Sequence, residues 1–231
     1  MHSDHRRAII AHVAPFAAWI LILSIMGEPA GWKYAVRSAC VLALFLMLRP
    51  WRWYPRLQVR HLPAAFGLGL AIFVVWVAGE SRLSGSLPGL QEAYLRWGTM
   101  PPWAVPQWPA TEPYSPAVAG WPLTLIRIAG SAFVIAIIEE FFWRGFLYRW
   151  LANPSFLEED LLRPRWSIFI IVAIAFGLEH TRWLVGIVAG LGYGWFYLRT
   201  RDVWAVAIAH MITNLVLGIY VVITGRYAFW A

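Results

Sequence analysis

WPLTLIRIAGSAFVIAIIEEFFWRGFLYRWL, residues 121–151, decides how the rest of the chain is read. Apart from Arg127, Glu139, Glu140, Arg144 and Arg149 it carries no charge, and as a helix rising 1.5 Å per residue it is long enough to cross a bilayer whose apolar core is roughly 30 Å thick. Two carboxylates and an arginine lie well inside it. At the centre of a membrane each would cost about 2.5 to 3.5 kcal/mol unless paired or hydrated, so an intramembrane site is the natural expectation.

Outward from this block, further apolar stretches occupy residues 8–26, 34–48, 62–79, 167–180, 183–198 and 203–224, making about seven spans, with six and eight as the bounds. Their lengths and uniform apolarity suit helices and not barrel strands, which alternate over about ten residues. The whole chain agrees: 60% of its 231 residues are hydrophobic and 13% charged, against about 25% charged in soluble domains. The fold class expected is an all-α polytopic membrane bundle around an intramembrane cavity. Residues 1–231 read as one domain, with N-terminal helices over 1–79, a Trp- and Pro-rich extracytoplasmic loop over 80–120, and the chemistry in 121–224. The first block reads as a retained helix.

The net charge of +7 does not point to nucleic acid, because the basic residues sit at block ends and not along a face interleaved with stacking aromatics. They read as topology signals. Arg6, Arg7, Arg49, Arg52, Arg56, Arg60, Arg144, Arg149, Arg163, Arg165, Arg199 and Arg201 fall on one side; Lys33, Arg37, Arg82, Arg96, Arg182 and Arg226 fall on the other. The richer side should be cytoplasmic, placing the N-terminus inside. Tryptophans 51, 53, 97, 103, 108, 121, 150, 166 and 204 lie near block edges, where interfacial Trp belongs. Cys40 has no second cysteine to pair with.

Prolines 88, 101, 102, 106, 109, 113 and 116 break residues 80–120, leaving room for a short amphipathic piece over 91–97. A lid over a substrate entry is one reading of this loop; an interfacial loop anchored by Trp is the other. Gly186, Gly190 and Gly194 recur every fourth residue, as in a close helix-packing face. His12 reads as structural, and Arg127 as a snorkelling or paired residue near the outer face.

The chemistry concentrates in three segments. In Ile135–Phe146, Arg144 lies four residues after Glu140 and can hold that carboxylate, whereas Glu139 is turned by about 100° and can face another helix. His180 ends the fifth block, and His210 and Asn214 share one face of the last. A carboxylate, two histidines and an amide suit amide hydrolysis: Glu takes a proton from water with help from one His, while His and Asn donate to the developing oxyanion. The same residues could bind zinc, although no His-Glu-x-x-His motif is present; a metal-free site is favoured and zinc is kept as the alternative.

Glu-Glu-x-x-x-Arg (Glu139, Glu140, Arg144), Phe-x-x-x-His (Phe176, His180) and His-x-x-x-Asn (His210, Asn214), in this order, resemble the CAAX-protease and bacteriocin-processing family of intramembrane peptidases, to which the CAAX prenyl endopeptidase belongs. The resemblance runs over residues 121–224. It implies a helix bundle with a conical cavity and a glutamic peptidase in which Glu139 and His180 activate water, His210 and Asn214 stabilise the transition state, and Glu140 and Arg144 support the site. It implies no cofactor. The partners implied are the lipid bilayer and a membrane-anchored peptide or protein substrate, with no nucleic acid. Size and the Trp- and Pro-rich loop resemble the bacterial exosortase-associated subgroup, implying the bacterial inner membrane. Glu179 departs from the pattern and is expected to face the outer mouth with Arg182. The rival readings are a non-catalytic immunity or scaffold protein of the same fold and a proton-relaying transporter, the second disfavoured by the lack of repeats.

Overall fold

The structure, a computed structural model, describes residues 2–80, 86–100 and 113–230. Eight helices organise them: α1 (His2–Met26), α2 (Gly31–Leu48), α3 (Leu62–Ala78), α4 (Pro88–Trp97), α5 (Trp121–Ala152), α6 (Trp166–Leu178), α7 (Trp183–Thr200) and α8 (Val203–Thr224). Among the described residues there is no strand. Five helices, built around α1, α2, α3, α5 and α8, are long and apolar enough to cross a membrane. The seven expected crossings therefore divide into five of full length and the pair α6 and α7. With 13 residues, α6 rises only about 20 Å. Its carboxyl end stops at Leu178, so His180 lies past the helix and not within it as the sequence suggested.

Local sequence explains the helix ends. Pro residues stand in the first turn of α3, α4 and α5, where no intrahelical N–H is lost. Asp202 caps α8: its Oδ1 accepts the backbone N–H groups of Trp204 and Ala205 at 3.1 and 3.2 Å. Its Oδ2 accepts from the Gln58 backbone at 2.9 Å and meets His61 at 3.2 Å, tying the α2–α3 connection to the α7–α8 turn. At this same end Tyr54 donates to the Gly145 carbonyl (2.7 Å), and Arg149 donates to the carbonyls of Phe156 and Leu157. At the opposite end Arg182 pairs with Glu80 at 2.6 Å and donates to Ala228, and Arg226 donates to the Glu80 carbonyl. Successive long helices alternate between these ends, and α6 and α7 run between them as an antiparallel pair.

The glycine stripe on α7 is a packing face, as its spacing predicts. A Cβ on Gly186 would stand 2.9 Å from Gly177 Cα, and one on Gly190 would stand 2.8 Å from the Ala173 carbonyl oxygen. Outward faces are apolar: Ile25, Met47 and Ile223 are 74, 77 and 78% exposed. A soluble surface does not carry so much contiguous aliphatic area; lipid does. Trp97, Trp121 and Trp166 are exposed near helix ends, as interfacial residues would be, whereas Trp204 packs its ring on Phe141 with centroids 5.0 Å apart. Trp103, Trp108, Arg82 and prolines 101, 102, 106 and 109 lie outside the described residues. The amphipathic piece of the long connection is present as α4 and begins three residues earlier than expected, at Pro88. After it, the Met100 N–H donates to the Thr181 carbonyl (2.7 Å) and the Leu184 N–H to the Gly98 carbonyl (3.3 Å), which lays residues 98–100 against the α6–α7 turn.

Candidate active site

Helix α5 is not regular where it carries its carboxylates. Residues Ser131–Ile135 and Phe141–Leu147 are wound as π-helix, and the α-helical turn Ala136–Glu140 sits between them. Such wide turns interrupt α-helices mostly at functional sites. One consequence is visible at Ser131, whose carbonyl accepts the Ala136 N–H and also the Asn214 side-chain amide at 3.0 Å.

The i,i+4 relation of Glu140 and Arg144 is realised as an ion pair of 3.0 Å with both side chains fully buried. Arg144, counted in the sequence among the loop cations, is therefore no topology signal. Its second nitrogen donates to the Gly190 carbonyl (3.1 Å), and its guanidinium lies 4.4 Å from the Phe176 ring centroid. The same Glu140 oxygen that meets Arg144 also meets His210 Nδ1 at 2.9 Å. The His210 ring stacks on Tyr193 with centroids 4.9 Å apart. Tyr193 donates to Thr213 (2.7 Å), which donates to the Gly69 carbonyl on α3 (2.8 Å). Glu140 is thus the hub of a network through α3, α5, α7 and α8.

Glu139 is treated differently. It is 6% exposed, and its Oε2 has no hydrogen-bond partner; His210 Nε2 stands 3.8 Å away. His180 brings Nδ1 to the Phe176 carbonyl at 2.8 Å, and its ring meets Trp76 edge-on with centroids 5.3 Å apart. That bond engages Nδ1 as the donor and leaves Nε2 for another partner. Glu139, His180, His210 and Asn214 all line one cavity of about 200 Å³, together with Tyr193, Thr213 and Ser131. The four residues read from three sequence segments are thus brought to one wall, and Glu140 and Arg144 stand behind it.

Two expectations need correcting. Glu179 turns to α5, where it accepts from Trp143 Nε1 at 3.2 Å, while the Arg182 guanidinium is engaged by Glu80. Arg127 does not snorkel: its guanidinium lies 4.3 Å from the Tyr34 ring centroid and faces the cavity. The structural reading of His12 holds, its ring buried among Trp53, Tyr54 and Phe156 with Nδ1 on the Ala8 carbonyl. Sequence reasoning missed Tyr193, Thr213, Trp76 and Ser131. Only Gly130-Ser131, a pair that often marks a break in helical regularity, carried any signal.

The residues present do not fit a metal centre. Among the described residues no group of three or more His, Cys, Asp or Glu side chains is placed to hold an ion. The Nδ1 of His210 is already committed to Glu140 and that of His180 to a carbonyl.

Residues 121–216 match the family described as Type II CAAX prenyl endopeptidase Rce1-like, a match that takes in all three motifs. No curated protein and no solved structure matches the chain.

Proposed function

From the premise that residues 121–216 are Rce1-like and place the chain with the CAAX proteases, we propose that the protein is a metal-independent intramembrane endopeptidase of the glutamic type. The observation that carries this reading is the opening of Glu139, His180, His210 and Asn214 onto one cavity while Glu140 and Arg144 are bonded behind them.

In this reading water enters between Glu139 and His180. Glu139 Oε2, without a partner of its own, accepts a proton as the water oxygen attacks the carbonyl carbon. His180 Nε2 orients the same water. The developing oxyanion is met by the Asn214 amide, whose carboxamide is fixed by the Ser131 carbonyl, and by His210 Nε2. To donate from Nε2 while Nδ1 is bonded to Glu140, His210 must hold both protons, and Glu140 is placed to share that charge. Collapse of the tetrahedral intermediate breaks the C–N bond, and the proton on Glu139 passes to the leaving amine. The substrate is a membrane-anchored peptide or protein. The arginine asymmetry supports a cytoplasmic N-terminus, and we place the enzyme in the bacterial inner membrane.

The test is processing of candidate membrane-anchored substrates in cells carrying Glu139→Ala or His180→Ala. Loss in both, with protein levels unchanged, is expected; full processing by both folded variants overturns the assignment. Purified enzyme that loses activity on exhaustive chelation and regains it with zinc would overturn metal independence alone.

A further inference from the structure

The cavity that receives Glu139 also receives two arginines the hydrolytic scheme does not use. Arg37 of α2 is 8% exposed, and its Nε and Nη1 are buried without a hydrogen-bond partner. Arg127, from the first turns of α5, has its Nε in the same condition. Both guanidiniums line the cavity. They flank a single ring: the Tyr34 centroid lies 5.2 Å from Arg37 and 4.3 Å from Arg127. Trp19 covers the other face of Arg37 at 3.6 Å, and Trp230 stands 5.3 Å from Arg127. Aromatic faces stabilise a guanidinium from above and below, but they leave its in-plane N–H groups unmet. Among the described residues neither arginine has a carboxylate partner, whereas Arg144 has Glu140 and Arg182 has Glu80.

Two like charges held around one ring, with edge donors aimed into a cavity, fit a planar anion that accepts from both. We propose that Arg37 and Arg127 form a carboxylate-binding subsite, which takes a carboxylate of the peptide substrate, either its C-terminus or an acidic side chain. The identity of this occupant rests on the peptidase reading. Arg127 and Glu139 share α5 and are separated along its axis by at most about 18 Å. An extended peptide advances about 3.5 Å per residue, so the recognised carboxylate falls within about five residues of the bond at Glu139. The subsite thereby sets where along the substrate the cut is made.

Binding tests this without turnover. The full-length chain carrying Glu139→Gln is placed in phosphatidylcholine nanodiscs and titrated with three dansyl-labelled Val/Leu pentapeptides: a C-terminal acid, its amide, and the amide with one internal Glu. Tighter binding of at least one acid form over the neutral amide, by about tenfold or more, is expected, and the form preferred names the source of the carboxylate. Adding Arg37→Gln or Arg127→Gln should bring the ratio near one with amide affinity unchanged, and Arg37→Lys should keep part of it. Equal binding of all three peptides, no peptide binding, or a preference surviving both Gln variants overturns the proposal. So does an effect of Arg37→Gln confined to phosphatidylglycerol nanodiscs, which would make this a headgroup site. A carboxylate preference without cellular processing would leave the subsite standing and remove the peptidase reading; Glu139-dependent processing without the preference does the reverse.

Discussion

Glu139 and Glu140 are adjacent in the chain and equally deep in the protein, yet they belong to two differently built regions. Around Glu140 the buried charges close on one another: Arg144, His210 and the Gly190 carbonyl meet within 3.1 Å or less of their partners. Around Glu139 polar atoms remain open to a cavity, and Arg37 and Arg127 extend that open wall. Buried charge is tolerated when paired, so the closed set is what structure requires. The open set needs a ligand to explain it.

Substitution should separate the two regions. The largest effect expected is on chemistry: Glu139→Gln and His180→Ala should each lower processing by about 10² to 10⁴ while leaving the melting temperature within a degree or two of wild type. A large drop in melting temperature for Glu139→Gln would break the comparison, since it would make Glu139 structural. Glu140→Ala should do the opposite first. It orphans a buried guanidinium, and a loss of about 3 to 5 kcal/mol is expected in reversible unfolding in detergent. Replacing Glu140 and Arg144 together should cost less than the sum of the single changes, which a double-mutant cycle would read. Gly190→Ala should destabilise by about 1 to 3 kcal/mol, because its Cβ would meet the Ala173 carbonyl and shift the partner of Arg144. The smallest change is Tyr193→Phe, which removes one hydrogen bond to Thr213, about 1 kcal/mol, and should leave the His210 stack intact. Unfolding midpoints of the last two would show how far the closed region extends.

The sequence was informative where spacing along one helix decides the contact. Glu140 with Arg144, His210 with Asn214 and the α7 glycines behave as their intervals predict, because helical geometry alone brings each set to one face. It was uninformative where a neighbour's position decides. Arg37 and Arg127 sit near block ends, as topology signals and snorkelling residues do, and only the placement of Tyr34, Trp19 and Trp230 reveals that they turn inward. Tyr193 and Thr213 belong to residue types common in any membrane helix, so nothing marked them before α3 and α8 were seen to meet. The position of His180 past its helix was hidden because α6 is apolar right up to Leu178, with no cap residue to announce its end. The π-wound turns had no periodicity to disturb in a stretch that is apolar on every side.

Those wide turns make the length of α5 part of its chemistry. A π segment can arise when a helix accommodates one additional residue, and each residue in a helix advances the azimuth by about 100°. Deleting a single residue within 131–135, letting the turn relax to ordinary α winding, would swing all that follows. The carboxylate now looking into the cavity would be carried away, and its neighbour toward it, with every side chain of the motif still present. A one-residue deletion series read by processing should therefore be more damaging than alanine at any of the same positions: the two glutamates differ by phase, and phase is stored upstream of both.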